Sequence, residues 1–257
     1  LADGSRVLAL DLNAEALQQA AMTDGWAAAV CRHQSFDVRE EADWQRVVLE
    51  TVECWGSLDL LCNVAGIIQP GLGQAAGAEC VDRHLDINAK GTILGTIAAA
   101  QRMVSQGHGQ IVNLASMAAL APVPGLSLYT ASKFAVRGFS LAIAQELRPL
   151  GVYVTVVCPD AVQTPMLDLQ RDYPEAALTF SGPRYLAVDE VVDLICGRVL
   201  RQKPLEVTLP WSRGILAKLT SFAPRLAGPV LPRLMARGRA RQAQGTTSAA
   251  PQPDARS

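Results

Sequence analysis

Short, nearly continuous apolar runs separated by segments of helical periodicity set the fold of this chain. Residues 58–62, 110–115 and 152–157 are rich in Leu, Ile and Val, as strands buried on both faces of a helix-covered parallel sheet are. Between them, Trp44, Val47, Val48, Thr51, Val52 and Trp55 recur at helical spacing over 39–55 until Gly56 stops the run. Long helices are predicted near 79–106 and over 127–148, the latter ended by Pro149 and Gly151. Weaker strands at 6–10, 32–36 and 205–209, a helix capped by Asn13 and running to about Met22, and a helix at 189–201 complete the alternation. The pattern predicts an α/β fold with a doubly wound parallel sheet whose ligands bind at the carboxyl ends of the strands.

One α/β domain with a sizeable core suits 257 residues, 49% of them hydrophobic. A formal net charge of −1 gives no reason to expect a nucleic-acid partner. No apolar run is long enough to span a bilayer and no signal peptide is visible, so a cytoplasmic location is expected. The six cysteines are scattered; they read as reduced core residues rather than metal ligands. His33, His84 and His108 are isolated; they read as surface or turn residues, and no metal is assigned.

Candidate chemistry centres on Ser116, Tyr129 and Lys133. Tyr129 and Lys133 are one helical turn apart and share a face. A cation there favours the phenolate and draws the tyrosine towards the range of a general base. Ser116 ends a strand, where its hydroxyl can hold a substrate oxygen. Asn88 lies on the stripe of Val81, Leu85 and Thr92, where a polar group must find partners.

Four segments, in order and at matching spacing over roughly residues 1–210, resemble the short-chain dehydrogenase/reductase family: Asn63-Val64-Ala65-Gly66, the strand ending at Ser116, Tyr129-Thr130-Ala131-Ser132-Lys133, and the run from Val154 through Val162 and Thr164. The resemblance implies a Rossmann-like sheet, a nicotinamide cofactor and hydride transfer between a secondary alcohol and a ketone. It implies Tyr129 as acid and base, Lys133 supporting it and binding the nicotinamide ribose, Ser116 on the substrate oxygen, and Asn88 in a proton relay. It places Asp37 and Val38 at the adenine, Asn63, Ala65 and Gly66 on the adenosine side, and Val162 and Thr164 at the nicotinamide carboxamide. Asp11, closing the strand at 6–10, would accept bonds from the ribose hydroxyls and repel a 2′-phosphate, favouring NAD over NADP. Homodimers or homotetramers through the helices near 90–106 and 127–148 are implied as well.

The chain departs from the family in four places. Val64 replaces an asparagine. Asp160 stands where glycine is usual, and it either faces the nicotinamide or points to solvent and bonds nearby amides. The opening residues resemble the end of a first helix, so the expected reading is a chain lacking its first strand and glycine-rich phosphate turn, a strand that would lie between those at 6–10 and 58–62. The alternative function is a non-catalytic binding or scaffold protein. From 207 to 253 there is no acidic residue, while Arg213, Lys218, Arg225, Arg233, Arg237, Arg239 and Arg241 are interspersed with large apolar side chains. This basic amphipathic segment, 211–241, either lies on an anionic membrane or packs on its own domain or a dimer partner. Residues 242–257 are expected to be disordered. Residues 167–187 read as a mobile loop over the substrate, and Met117, Val123 and Leu126 suggest an apolar alcohol or ketone.

Overall fold

The computed structural model describes residues 4–222 and 229–246, and the side chains of all but 244–246 of these. Strand and helix alternate: β1 (Val7–Asp11), α1 (Ala14–Thr23), β2 (Cys31–Ser35), α2 (Glu41–Trp55), β3 (Leu60–Asn63), α3 (Ala78–His84), α4 (Gly91–Gln106), β4 (Gly109–Leu114), α5 (Ser127–Leu147), β5 (Val152–Pro159), α6 (Pro165–Asp168), α7 (Val188–Leu194), α8 (Leu200–Gln202), β6 (Glu206–Leu209), α9 (Trp211–Phe222) and α10 (Leu231–Thr246). Local chemistry sets the ends. Asn13 Oδ1 accepts from Ala16 N at 3.0 Å to start α1, and Gly56, at φ 87°, closes α2 in the left-handed conformation.

All strand pairs are parallel, in a two-stranded sheet β1-β2 and a four-stranded sheet β3-β4-β5-β6. β1 and β3 are each the end strand of their sheet, and the ladder is interrupted where the resemblance puts a further strand. The two sheets share packing: Leu8 and Leu10 of β1 join Leu61 of β3 around Phe36, Trp44 and Val47. On the larger sheet Ala99, Met103, Ile111, Leu147 and Val154 form the core between α4, α5 and the strands. Burying a side chain such as Ile111 or Val154 contributes about 1.5–3 kcal/mol.

The helix expected over 79–106 is not uniform. A π-helical turn, Leu85–Lys90, separates α3 from α4; such a turn inserts an extra residue per hydrogen-bonded ring and redirects its side chains. Another, Ile195–Val199, joins α7 to α8.

Several expectations need correction. Residues 167–187 are not an open loop. They carry a 3-10 helix, Pro174–Ser181, in which Ala176, Ala177 and Phe180 are fully buried. α10 covers it: Gln242 Nε2 donates to Gln170 O at 2.8 Å and Tyr173 O at 2.9 Å. Residues 242–246 are therefore the end of a packed helix rather than the start of a disordered tail; residues 247–257 lie outside the described residues. Cys31 and Cys158 are core residues, but Cys54, Cys62 and Cys196 are exposed. His84 is fully buried. Its Nε2 accepts from Gln69 N at 3.2 Å, which leaves the proton on Nδ1 for Cys80 O at 2.8 Å.

Candidate active site

The site grows from the carboxyl ends of β3, β4 and β5. Their register sets Asn63 beside Asn113 and Leu114 beside Val157, so the residues that follow converge. Ser116 leaves β4 in extended backbone, and its Oγ accepts from Ala118 N at 3.1 Å. α5 starts at this end of the sheet and runs back along it, burying Tyr129 and Lys133 in its first turns. The turn before it depends on Gly125. At φ 78°, a Cβ there would sit 2.4 Å from Glu175 O, so glycine lets residues 174–181 close against the loop.

Ser116, Tyr129 and Lys133 meet. Burial pushes the Tyr129 phenol up to about 12, against the pull of a hydrogen bond with the Ser116 side chain. The expected lowering by Lys133 does not appear. The ammonium lies 5.7 Å from the Tyr129 ring centroid and donates to Leu114 O at 2.9 Å, so its charge is spent partly on that carbonyl. Burial draws Lys133 down to about 8.

These directions carry a stability prediction. Below pH 8 both the folded and the unfolded chain hold the Lys133 proton, and the folded state bears the desolvation penalty. Between about 8 and the ordinary lysine value the unfolded chain binds the proton that the folded one has lost, so stability rises with pH. Relative to Lys133→Met, the wild type should gain about 2–3 kcal/mol between pH 8 and 10; the loss from Tyr129 above pH 10, where the unfolded phenol ionises first, is common to both proteins and cancels. Urea melts across this range check it. A parallel pH profile for the two proteins would show that Lys133 is not desolvated.

Asn88 sits on the π-helical turn with its amide saturated: Oδ1 accepts from Ile67 N at 2.7 Å, and Nδ2 donates to Ile67 O and Ser132 Oγ, each at 3.0 Å. It ties the loop after β3 to α5. A Cβ on Gly66 would come within 3.2 Å of Asn88 Oδ1 and 3.4 Å of Lys133 Nζ. Asn63 belongs to the sheet. Its Nδ2 donates to Asn113 Oδ1 at 2.8 Å and Thr96 Oγ1 at 3.2 Å, while Asn113 Nδ2 donates to Ser140 Oγ at 2.8 Å. Ala65 and Val64 are exposed beside it.

The other predicted residues are more dispersed. Asp11 is exposed at the end of β1 and accepts from Asn13 N at 2.9 Å. Asp37 is held by the Arg39 guanidinium, with Nε at 2.9 and 3.0 Å from its two carboxylate oxygens, which keeps its carboxyl below the usual range. Val38 O accepts from Trp44 Nε1 at 2.9 Å, and its side chain lies against Gly91. Val162 bridges to Leu186, and Thr164 precedes α6 without a side-chain cap bond, its Oγ1 donating instead to Val162 O at 3.3 Å. Asp160 bonds the neighbouring Ala161 amide, as one reading had it, but is largely buried rather than turned to solvent. Its Oδ2 pairs with Arg213 Nε of α9 at 2.8 Å.

Val123 and Leu126 pack with Tyr129, joined by Ile68, Met166 and Ala176. Met117 does not join them; it packs with Ala115, Leu120 and Val136. Sequence reasoning missed Ile68 and Ala176, and it missed Asn113, Thr96 and Ser140, although a polar residue inside the apolar run at 111–114 was a signal.

The residues fit a nicotinamide cofactor at two ends. Lys133 Nζ is buried with a single hydrogen-bond acceptor among the described residues, leaving donors that suit ribose hydroxyls, and the exposed Asp11 carboxylate keeps acceptor capacity beyond its bond from Asn13 N. Residues 1–257 contain no glycine-rich strand–turn–helix to receive a pyrophosphate. Among the described residues no group of three or more His, Cys, Asp or Glu could hold a metal ion, and no helix is long and apolar enough to cross a membrane.

The short chain dehydrogenase family profile matches residues 1–174. The chain is 38% identical over 180 residues to 2-(R)-hydroxypropyl-CoM dehydrogenase of Xanthobacter autotrophicus, covering 68% of this chain and 72% of that protein. It is 34% identical to cyclopentanol dehydrogenase of Comamonas testosteroni, covering 72% and 74%. A crystal structure of a short chain dehydrogenase from Mycobacterium paratuberculosis bound to NAD superposes with a TM-score of 0.69 at 25% identity, covering 80% of this chain and 88% of that one. This chain belongs to the short-chain dehydrogenase family, with the Rossmann-like fold and oxidoreductase character that membership carries.

Proposed function

We propose that the protein interconverts an apolar secondary alcohol and its ketone with NAD(H). The observation that carries this reading is the burial of Tyr129 and Lys133 beside the half-buried Ser116 at the carboxyl ends of β4 and β5, next to an apolar wall of Ile68, Leu126 and Ala176. At neutral pH the phenol, at about 12, is protonated and able to give its proton to a carbonyl oxygen that becomes an alcohol. Giving it leaves a phenolate that the Lys133 ammonium stabilises, and in the opposite direction that phenolate takes the hydroxyl proton. Ser116 Oγ orients the substrate oxygen. Asn88 positions Lys133 and the loop after β3, and contributes to the proton relay through the turn it holds. The nicotinamide supplies hydride donation or acceptance when bound; Lys133 holds its ribose, Val162 and Thr164 its carboxamide, Asp37 and Val38 the adenine, and Asn63, Ala65 and Gly66 back the adenosine side. The domain spans 1–210 and works as a homodimer or homotetramer through α4 and α5.

A panel of cyclic and linear ketones, incubated with the full-length protein and reduced nicotinamide, tests the reading by loss of cofactor absorbance. Consumption should be seen with apolar ketones. No consumption with any ketone, alongside measurable cofactor binding, would favour a scaffold.

Cofactor choice rests on Asp11. Initial rates should favour NADH over NADPH, and Asp11→Ala should narrow the preference by about tenfold, as removing one charge beside the 2′-phosphate is worth on the order of 1 kcal/mol. A wild-type preference for NADPH would remove Asp11 from the site.

A further inference from the structure

α9 is amphipathic in the reverse sense for a helix on a globular body. Arg213, Gly214, Ala217, Thr220 and Ser221 turn inward or are half-buried. Arg213 pairs with Asp160 at 2.8 Å, and Lys218 pairs with Glu206. Gly214 lies so close to β6 that a Cβ there would be 2.1 Å from Thr208 Oγ1, and Ala217 packs on the cluster of Leu120 and Val136. The outward face carries Trp211, Ile215, Leu216, Leu219 and Phe222, all exposed, Phe222 at 92%. Positions 211, 215, 219 and 222 follow helical spacing, so these side chains form one stripe. The two ion pairs and the glycine contact fix this rotation. Turning the helix over would separate the pairs and drive a leucine into Thr208.

The charge around the stripe indicates what covers it. All 24 Asp and Glu residues lie outside 207–253, while seven of the 23 Lys and Arg residues lie within it. Arg213 and Lys218 are taken up by their pairs, but Arg233, Arg237 and Arg239 on α10 are exposed and make no ion pair among the described residues. A second copy docking through this segment would bring like charges together. A surface of anionic phospholipid would complement both the arginines and an aromatic, leucine-rich stripe. We propose that α9 docks the protein on an anionic bilayer surface, with Trp211, Leu219 and Phe222 at the headgroup–acyl boundary and the α10 arginines on lipid phosphates.

The proposal is independent of the catalytic reading and is tested by co-sedimentation of the full-length protein with vesicles of phosphatidylcholine, alone or mixed with phosphatidylglycerol. Binding to the mixed vesicles should be at least about tenfold stronger and should weaken with added salt. Leu219→Asp combined with Phe222→Asp should abolish it, leaving the melting temperature unchanged because both side chains are exposed. Arg233→Gln, Arg237→Gln and Arg239→Gln together should reduce binding to the level seen with phosphatidylcholine. Equal or absent binding to the two vesicle types would overturn the proposal. So would a lipid-free wild-type oligomer that the paired aspartate substitutions split, since a second copy would then cover the stripe.

Discussion

Tyr129→Phe should lower turnover by about a thousandfold or more while leaving cofactor affinity largely intact, because only the proton-carrying oxygen is lost. The ring keeps its packing against Ile68, Leu126 and Ala176, so the variant should fold. The effect belongs on kcat rather than KM, since the phenol acts on the oxygen as the bond to hydrogen changes. Steady-state rates with the best ketone, together with NADH titration by fluorescence, separate the two. Turnover within about tenfold of wild type would show that the proton comes from elsewhere, given that a positioned acid contributes 10²–10⁴.

Asn113→Ala should give the largest loss of stability among substitutions that leave the site's side chains in place. Asn113 is fully buried and joins Asn63, Thr96 and Ser140 across β3, β4, α4 and α5. Its removal leaves the Asn63 amide short of its closest acceptor and opens a small cavity, at a cost of about 2–4 kcal/mol. For a domain of this size that lowers Tm by roughly 5–15 °C. A thermal melt of the variant checks it; a shift below about 2 °C, against the expectation from buried unsatisfied groups, would mean that water or a neighbour replaces the amide.

What could be read from the sequence was what periodicity and motif spacing encode locally. The buried strands at β4 and β5, the caps at Asn13 and Gly56, and the one-turn spacing of Tyr129 and Lys133 each depend on a few neighbouring residues. Other features depend on partners distant in sequence. The direction of the Tyr129 shift is set by how completely α5 and residues 174–181 exclude water, which no spacing reveals. Asp160 was undecided because its partner, Arg213, comes from a helix beyond the next strand. Residues 167–187 read as a loop because their turns and prolines are local, whereas their burial comes from α10. His84 was legible in principle: it lies three residues after Val81 and four before Asn88, on the same helical face as that buried amide. The reversed face of α9 was seen as amphipathic, but which side turns inward depends on Asp160, Glu206 and Thr208.

The central claim, hydride transfer to a carbonyl carbon with the proton delivered by Tyr129, is tested most directly by isotope. Full-length protein would be given an apolar ketone and NADH carrying deuterium at the transferable position of the nicotinamide, and the product examined by mass spectrometry and proton NMR. The account predicts an alcohol with deuterium on the carbinol carbon, formed by the wild type and not by Tyr129→Phe. Unlabelled alcohol, or labelled alcohol formed equally well by both proteins, would contradict it.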